Sequence, residues 1–96
     1  MIYHSTRDEQ LTASSTHAVL QGIAPDGGLY ICDPAALRFD WRGALEKDTL
    51  TMAADILHAL LPDFPDMGDI VRKSYAGKFP TADLTPLVPV GGRYVL

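Results

Sequence analysis

Proline and glycine cut this chain into short pieces, and no element can run far before meeting one of them. Ala24-Pro25-Asp26-Gly27-Gly28 forms a turn on several counts. Proline presets its own φ, aspartate bonds to nearby backbone, and two glycines accept positive φ. Pro34 ends any strand before it because it has no ladder donor. Pro62 stops a helix, and Pro80 and Pro86 break the chain again. With 96 residues in all, the expectation is one domain over 1–96 with a thin core.

Between the breaks, the apolar spacing assigns the elements. Ile2 to Ser5 is β-prone, Arg7 to Gln10 is a charged loop, and Leu29 to Cys32 is a second strand. Ser14 is placed to cap a helix carrying Ala18, Val19, Leu20 and Ile23 on an apolar face, with Gly22 as its stop. Asp40 heads a small helix through Trp41 and Leu45. The strongest periodicity covers Leu50 to Leu61 behind Asp48 or Thr49, where Leu50, Ala53, Ala54, Leu57, Leu60 and Leu61 form one stripe. A further helix starts at Asp66 and carries Ile70, Val71 and Tyr75 inward. Leu87 to Val90 and Arg93 to Leu96, joined by Gly91-Gly92, make a hairpin. The fold class is therefore α+β, a small domain of short strands with three to four helices and a C-terminal β-hairpin. The last run stops at Leu96 in mid-pattern, so a chain cut from a longer one is expected.

Composition removes several function classes. The net charge is −4 and the eight bases are scattered, whereas a nucleic-acid surface gathers them, so no nucleic acid is expected as a partner. The longest apolar run, Ala59-Leu60-Leu61, is far below a membrane span, and the first residues lack the apolar core of a signal peptide. Cys32 is the only cysteine, which fits a reducing, cytoplasmic setting and a small buried hydrophobe.

Reactive groups are present without the company they need. His4, His17 and His58 fall on different elements without a ligand partner at metal spacing, so no metal is expected. Ser5, Ser14, Ser15 and Ser74 lack the glycine frame of a nucleophile elbow. Asp63, Asp66 and Asp69 surround a helix start and complement its dipole. Asp26-Gly27-Gly28 and Gly91-Gly92 precede strands, the wrong order for a phosphate cradle at a helix N-terminus. Lys47 lies between Glu46 and Asp48 in an exposed, ion-paired position, Lys73 follows Arg72, and Lys78 stands beside Phe79. None has the pocket that a Schiff-base lysine requires. No catalytic, cofactor-binding or metal-binding residue is assigned.

Several segments, in order, resemble the threonine synthase family: Tyr3-His4-Ser5-Thr6-Arg7, the block Ala18 to Tyr30, Leu50 to Leu57, Ser74-Tyr75 with Phe79, and Arg93-Tyr94-Val95-Leu96. The thirteen-residue block is the most specific. Asp8, where glycine often follows Ser-Thr-Arg, and Ile31-Cys32, in place of a more usual Val-Pro, depart from the pattern. The resemblance implies an N-terminal domain whose parent is a pyridoxal-phosphate-dependent carbon–oxygen lyase. That parent converts O-phosphohomoserine and water into L-threonine and phosphate. The family's cofactor lysine lies in a Phe-Lys-Asp motif downstream of this domain, so the 96-residue chain is expected to hold no cofactor and to be inactive alone. Its expected partner is the cofactor-binding remainder of the parent. Arg7, Asp26, Gly27 and Gly28 are the candidates for an active-site edge or a domain interface, with a loop anchor and a tight turn as the structural alternative. Two other readings are a free-standing interaction domain and a synthase-like enzyme with altered chemistry.

Overall fold

In the computed structural model, which describes all residues from Met1 to Leu96, two small sheets and four helices alternate with turns. Strand β1 (Tyr3–Ser5) lies between β2 (Thr12–Ala13) and β3 (Tyr30–Cys32), both antiparallel to it. The register sets Tyr3 opposite Ala13 and Cys32, and Ser5 opposite Tyr30. Helix α1 (Ser15–Gln21) follows β2, and a single 3₁₀ turn (Pro34–Ala36) follows β3. Helices α2 (Trp41–Ala44), α3 (Thr49–Leu60) and α4 (Met67–Tyr75) come next, with α3 packed on α4. The hairpin of β4 (Val88–Val90) and β5 (Arg93–Val95) closes the chain, with Gly91 and Gly92 both at positive φ in its turn. The α+β class and the hairpin thus match the sequence reading. No helix is long and apolar enough to cross a membrane.

Helix ends follow their capping chemistry. The Ser14 hydroxyl accepts the His17 amide and Gly22 closes α1 at φ 76°. Asp40 caps α2 by accepting the Gly43 amide, and Asp48 caps α3 by accepting the Thr51 amide. Each satisfies an amide that the first turn leaves without a partner. Pro34 does end the β3 region, and its fixed φ then suits the first position of the 3₁₀ turn. The two-residue strand β2 carries too little pattern to be seen in sequence, and it forms because β1 offers it an edge.

Packing corrects three expectations. In α1 only Ser15 and Ala18 are buried, so the apolar face read from sequence is left open, with Val19 and Leu20 on the helix and Ile23 just after it all exposed. In α4 Val71 is buried as expected, but Ile70 is exposed; Tyr75 is half-buried and stacks on Phe79. Cys32 is half-buried rather than enclosed. The common reason is a core too small to cover every apolar face, since only nine of 96 residues are buried.

Polar links across long stretches of sequence compensate in part. The Tyr3 hydroxyl donates to the Leu60 carbonyl at the end of α3, and burial raises the phenol pKa, which keeps that proton in place. Asp63 does not cap α4. Its carboxylate instead accepts the Ser15 hydroxyl (2.7 Å) and the Ser15 amide (2.8 Å), and its own amide donates back to Ser15 Oγ (3.2 Å). A negative charge therefore sits at the positive end of α1. Asp66 precedes α4 in the left-handed region without a side-chain cap bond, and Asp69 pairs with Arg72.

The Ser15 link predicts a stability change with a defined pH dependence. Ser15 is fully buried, and replacing it with alanine should cost about 1–3 kcal/mol in urea unfolding at pH 7. The Ser15 hydroxyl and then its amide hold the Asp63 pKa below the ordinary carboxylate value. That contribution is complete above the unfolded-state value of about 4 and disappears as pH falls through the lower folded value. The difference between Ser15→Ala and the parent chain should shrink in acid, and a difference that stays constant down to the acid transition would contradict the link.

Candidate functional site

Four residues proposed from sequence at two separate places meet in one cluster. The chain leaves β1 at Ser5 and runs through Thr6 and Arg7 beside the turn that leads into β3. Asp26 is the centre of the cluster. Both of its carboxylate oxygens lie 2.8 Å from Ser5 Oγ, and Oδ1 also accepts the Gly28 amide at 2.8 Å. Ser5 is buried and accepts the Arg7 amide at 3.1 Å, so the hydroxyl works as donor and acceptor together. Arg7 donates through Nη1 to the Asp26 carbonyl at 2.9 Å. Thr6 and Leu29 exchange two bonds, amide to carbonyl at 2.8 Å and amide to hydroxyl at 3.0 Å.

The turn itself is closed by Gly27 donating to the Ala24 carbonyl and Ala24 donating to the Gly28 carbonyl. Gly27 sits at φ +80°, where a side chain is strained. At Gly28 the need is for space: a Cβ there would lie 2.1 Å from Ser5 Oγ. Two different requirements thus place two consecutive glycines.

Electrostatics follow from the same contacts. The Gly28 amide, then the Ser5 hydroxyl, and to a smaller extent the Arg7 charge, hold the Asp26 pKa below the usual carboxylate value. Asp26 is a fixed anion, with the wrong properties for a general acid near neutral pH. The amides of Thr6, Arg7, Gly27, Gly28 and Leu29 all donate within the cluster. Of the turn's amides only that of Asp26 is left without an acceptor, too few to cradle a phosphate. The other free donors are on Arg7, whose side chain is exposed and makes its one hydrogen bond through Nη1.

Sequence reasoning named Arg7, Asp26, Gly27 and Gly28 as candidates, and the structure joins all four; it missed Ser5, the buried hydroxyl that bridges Asp26 and the Arg7 amide. The signal for Ser5 was available in the alternation of β1, which sets Ser5 on the same face as buried Tyr3. His17 and Tyr30 form a second, exposed group: both bond Gln21 Oε1, at 2.7 and 2.8 Å, and the rings meet edge to face.

The lysines do not fit a pyridoxal role. Lys47 pairs with Asp55 on α3 rather than with its sequence neighbours Glu46 or Asp48. That bond raises its pKa, opposite to what a lysine nucleophile requires. Lys73 and Lys78 are exposed. No three His, Cys, Asp or Glu side chains gather in a metal-holding group.

The family model for the threonine synthase N terminus matches residues 2–90. The chain belongs to the threonine synthase N-terminal domain family. It is 35% identical to the threonine synthase of Saccharomyces cerevisiae over 96 residues, covering 91% of this chain and 18% of that protein. It is also 35% identical to the threonine synthase of Corynebacterium glutamicum over 98 residues, covering 91% of this chain and 20% of that protein. The chain thus spans about a fifth of the length of these relatives.

The close approach at Gly28 yields a double-mutant test. Gly28→Ala should lower stability by about 1–3 kcal/mol, because its Cβ meets Ser5 Oγ. Adding Ser5→Ala removes that atom, so the pair should cost less than the sum of the single changes. Additive costs in denaturant unfolding would mean that the two residues do not interact as described.

Proposed function

We propose that this chain is the N-terminal domain of a cytoplasmic threonine synthase whose full length converts O-phosphohomoserine and water into L-threonine and phosphate. Pyridoxal phosphate serves as the electron sink in that reaction and is held by the part of the protein beyond this domain. The domain alone is inactive. The observation that carries the reading is the family match over residues 2–90, supported by the absence of a suitable lysine site in the described fold.

Within that enzyme, Arg7, Asp26, Gly27 and Gly28 form an edge of the active-site entrance. Asp26 fixes the turn, and Gly27 and Gly28 let it fold tightly beside Arg7. Arg7 spends Nη1 on the Asp26 carbonyl, which orients the guanidinium and leaves its other donors for a phosphate-bearing substrate.

Two measurements test this. The purified 96-residue chain, mixed with pyridoxal phosphate, should show no saturable internal-aldimine absorbance and form no threonine; saturable 1:1 absorbance lost on changing one lysine overturns the inactivity. In the full-length enzyme, Arg7→Ala should raise KM for O-phosphohomoserine by about tenfold, the equivalent of one charge-assisted hydrogen bond. Unchanged turnover and KM would return Arg7 to the role of a loop anchor.

A further inference from the structure

The three-stranded sheet has two unlike faces. Tyr3, Ser5, Ala13, Tyr30 and Cys32 share the inner one, where the Tyr3 hydroxyl reaches the end of α3 and Ser5 reaches Asp26. Directly paired residues project to the same side and neighbours along a strand alternate. His4, Thr12 and Ile31 therefore share the outer face, together with Ile2 before β1 and Leu29 before β3. Ile23 is bridged antiparallel to Leu29 and extends the row. Four large aliphatic side chains, Ile2, Ile23, Leu29 and Ile31, are 43–69% exposed along it.

The size of the uncovered surface narrows the occupant. A compact chain of this mass should expose about 5,400 Å², and this one exposes 7216 Å². Its radius of gyration is 16.7 Å, against about 12–13 Å for a compact chain of this length. The excess of roughly 1,800 Å², which the chain as a whole exposes with its hairpin included, is about twice what one partner buries in a standard-sized protein–protein interface. The relatives have about five times this length, which supplies a covering body within the same chain.

We infer that the outer face of the β2-β1-β3 sheet, through Ile2, Ile23, Leu29 and Ile31, is the surface on which the remainder of the same synthase chain docks. This rests on the reading of the chain as a domain of a longer synthase. The partner surface is apolar where it meets these four side chains and polar where it meets His4 and Thr12, which the register places on the same face.

The test is carbene footprinting of the full-length protein with a photolysed diazirine, read at each residue by mass spectrometry. The same protein unfolded in urea is the reference, and threonine formation is assayed on the same preparation. Docking predicts labelling at the four residues at least about tenfold below the unfolded reference, independent of protein concentration. Labelling within about twofold of the reference, the protection expected from 43–69% exposure alone, overturns the inference. Protection lost on dilution as the protein dissociates to monomer also overturns it, because a second copy would then be the occupant. Concentration-independent protection in a preparation that makes no threonine supports the docked face and overturns the functional reading instead.

Discussion

The Asp26 carboxylate is the contact on which the arrangement of this domain depends. It joins β1 to the turn before β3 through Ser5, and it holds that turn through the Gly28 amide. Hydrogen bonds that involve an ionised acceptor are stronger than neutral ones, and here they bind segments 21 residues apart. Arg7 follows as a consequence: its amide is taken by Ser5 and its guanidinium by the Asp26 carbonyl, so its position is inherited from the carboxylate. The β1–β3 pairing and the two Thr6–Leu29 bonds bring the segments together, and the anion fixes the turn against Ser5.

A second carboxylate performs the matching task for the helices. Asp63 ties the segment after α3 to the first residue of α1, while Tyr3 ties β1 to the last turn of α3. Such links matter because the core is thin. The stripe on α3 is half-buried throughout and contributes contact with α4 rather than an enclosed centre. Hydrophobic burial at this chain length exceeds conformational entropy by only a few kcal/mol, so a few long-range polar contacts can decide the relative placement of elements.

This division explains what the sequence made legible. Local chemistry was readable: the serine and aspartate caps at Ser14, Asp40 and Asp48, the glycine stop at Gly22, the turn at Pro25 to Gly28 and the hairpin about Gly91-Gly92 all form as their residue types require. Long-range pairing was not. Asp63 looked like a partner for the nearest helix dipole, yet its partner lies 48 residues earlier, and no local pattern encodes that distance. Lys47 likewise passes over its immediate neighbours for Asp55, one helix onward. Of the candidate site, the four named residues were visible because two recognisable segments carried them. For Ser5 the alternation of β1 could have given its buried face, but not its bridge to Asp26, 21 residues away.

The mistaken faces have a different cause, and it bears on what the domain is for. Periodicity identifies an apolar face without saying what covers it. Val19, Leu20 and Ile23 were read as an apolar face, and that face is open, as is Ile70, which was expected to turn inward. They face outward, and the inner side of the sheet is taken by Tyr3 and Ser5, whose hydroxyls reach Leu60 and Asp26. The hairpin carries the same property further, with all six of its strand residues exposed. An element order that satisfies its polar groups internally and leaves its aliphatic side chains outside suits a piece that is fitted against a larger body. In such a piece, polar contacts set the internal geometry before docking, and apolar contacts supply the affinity afterward.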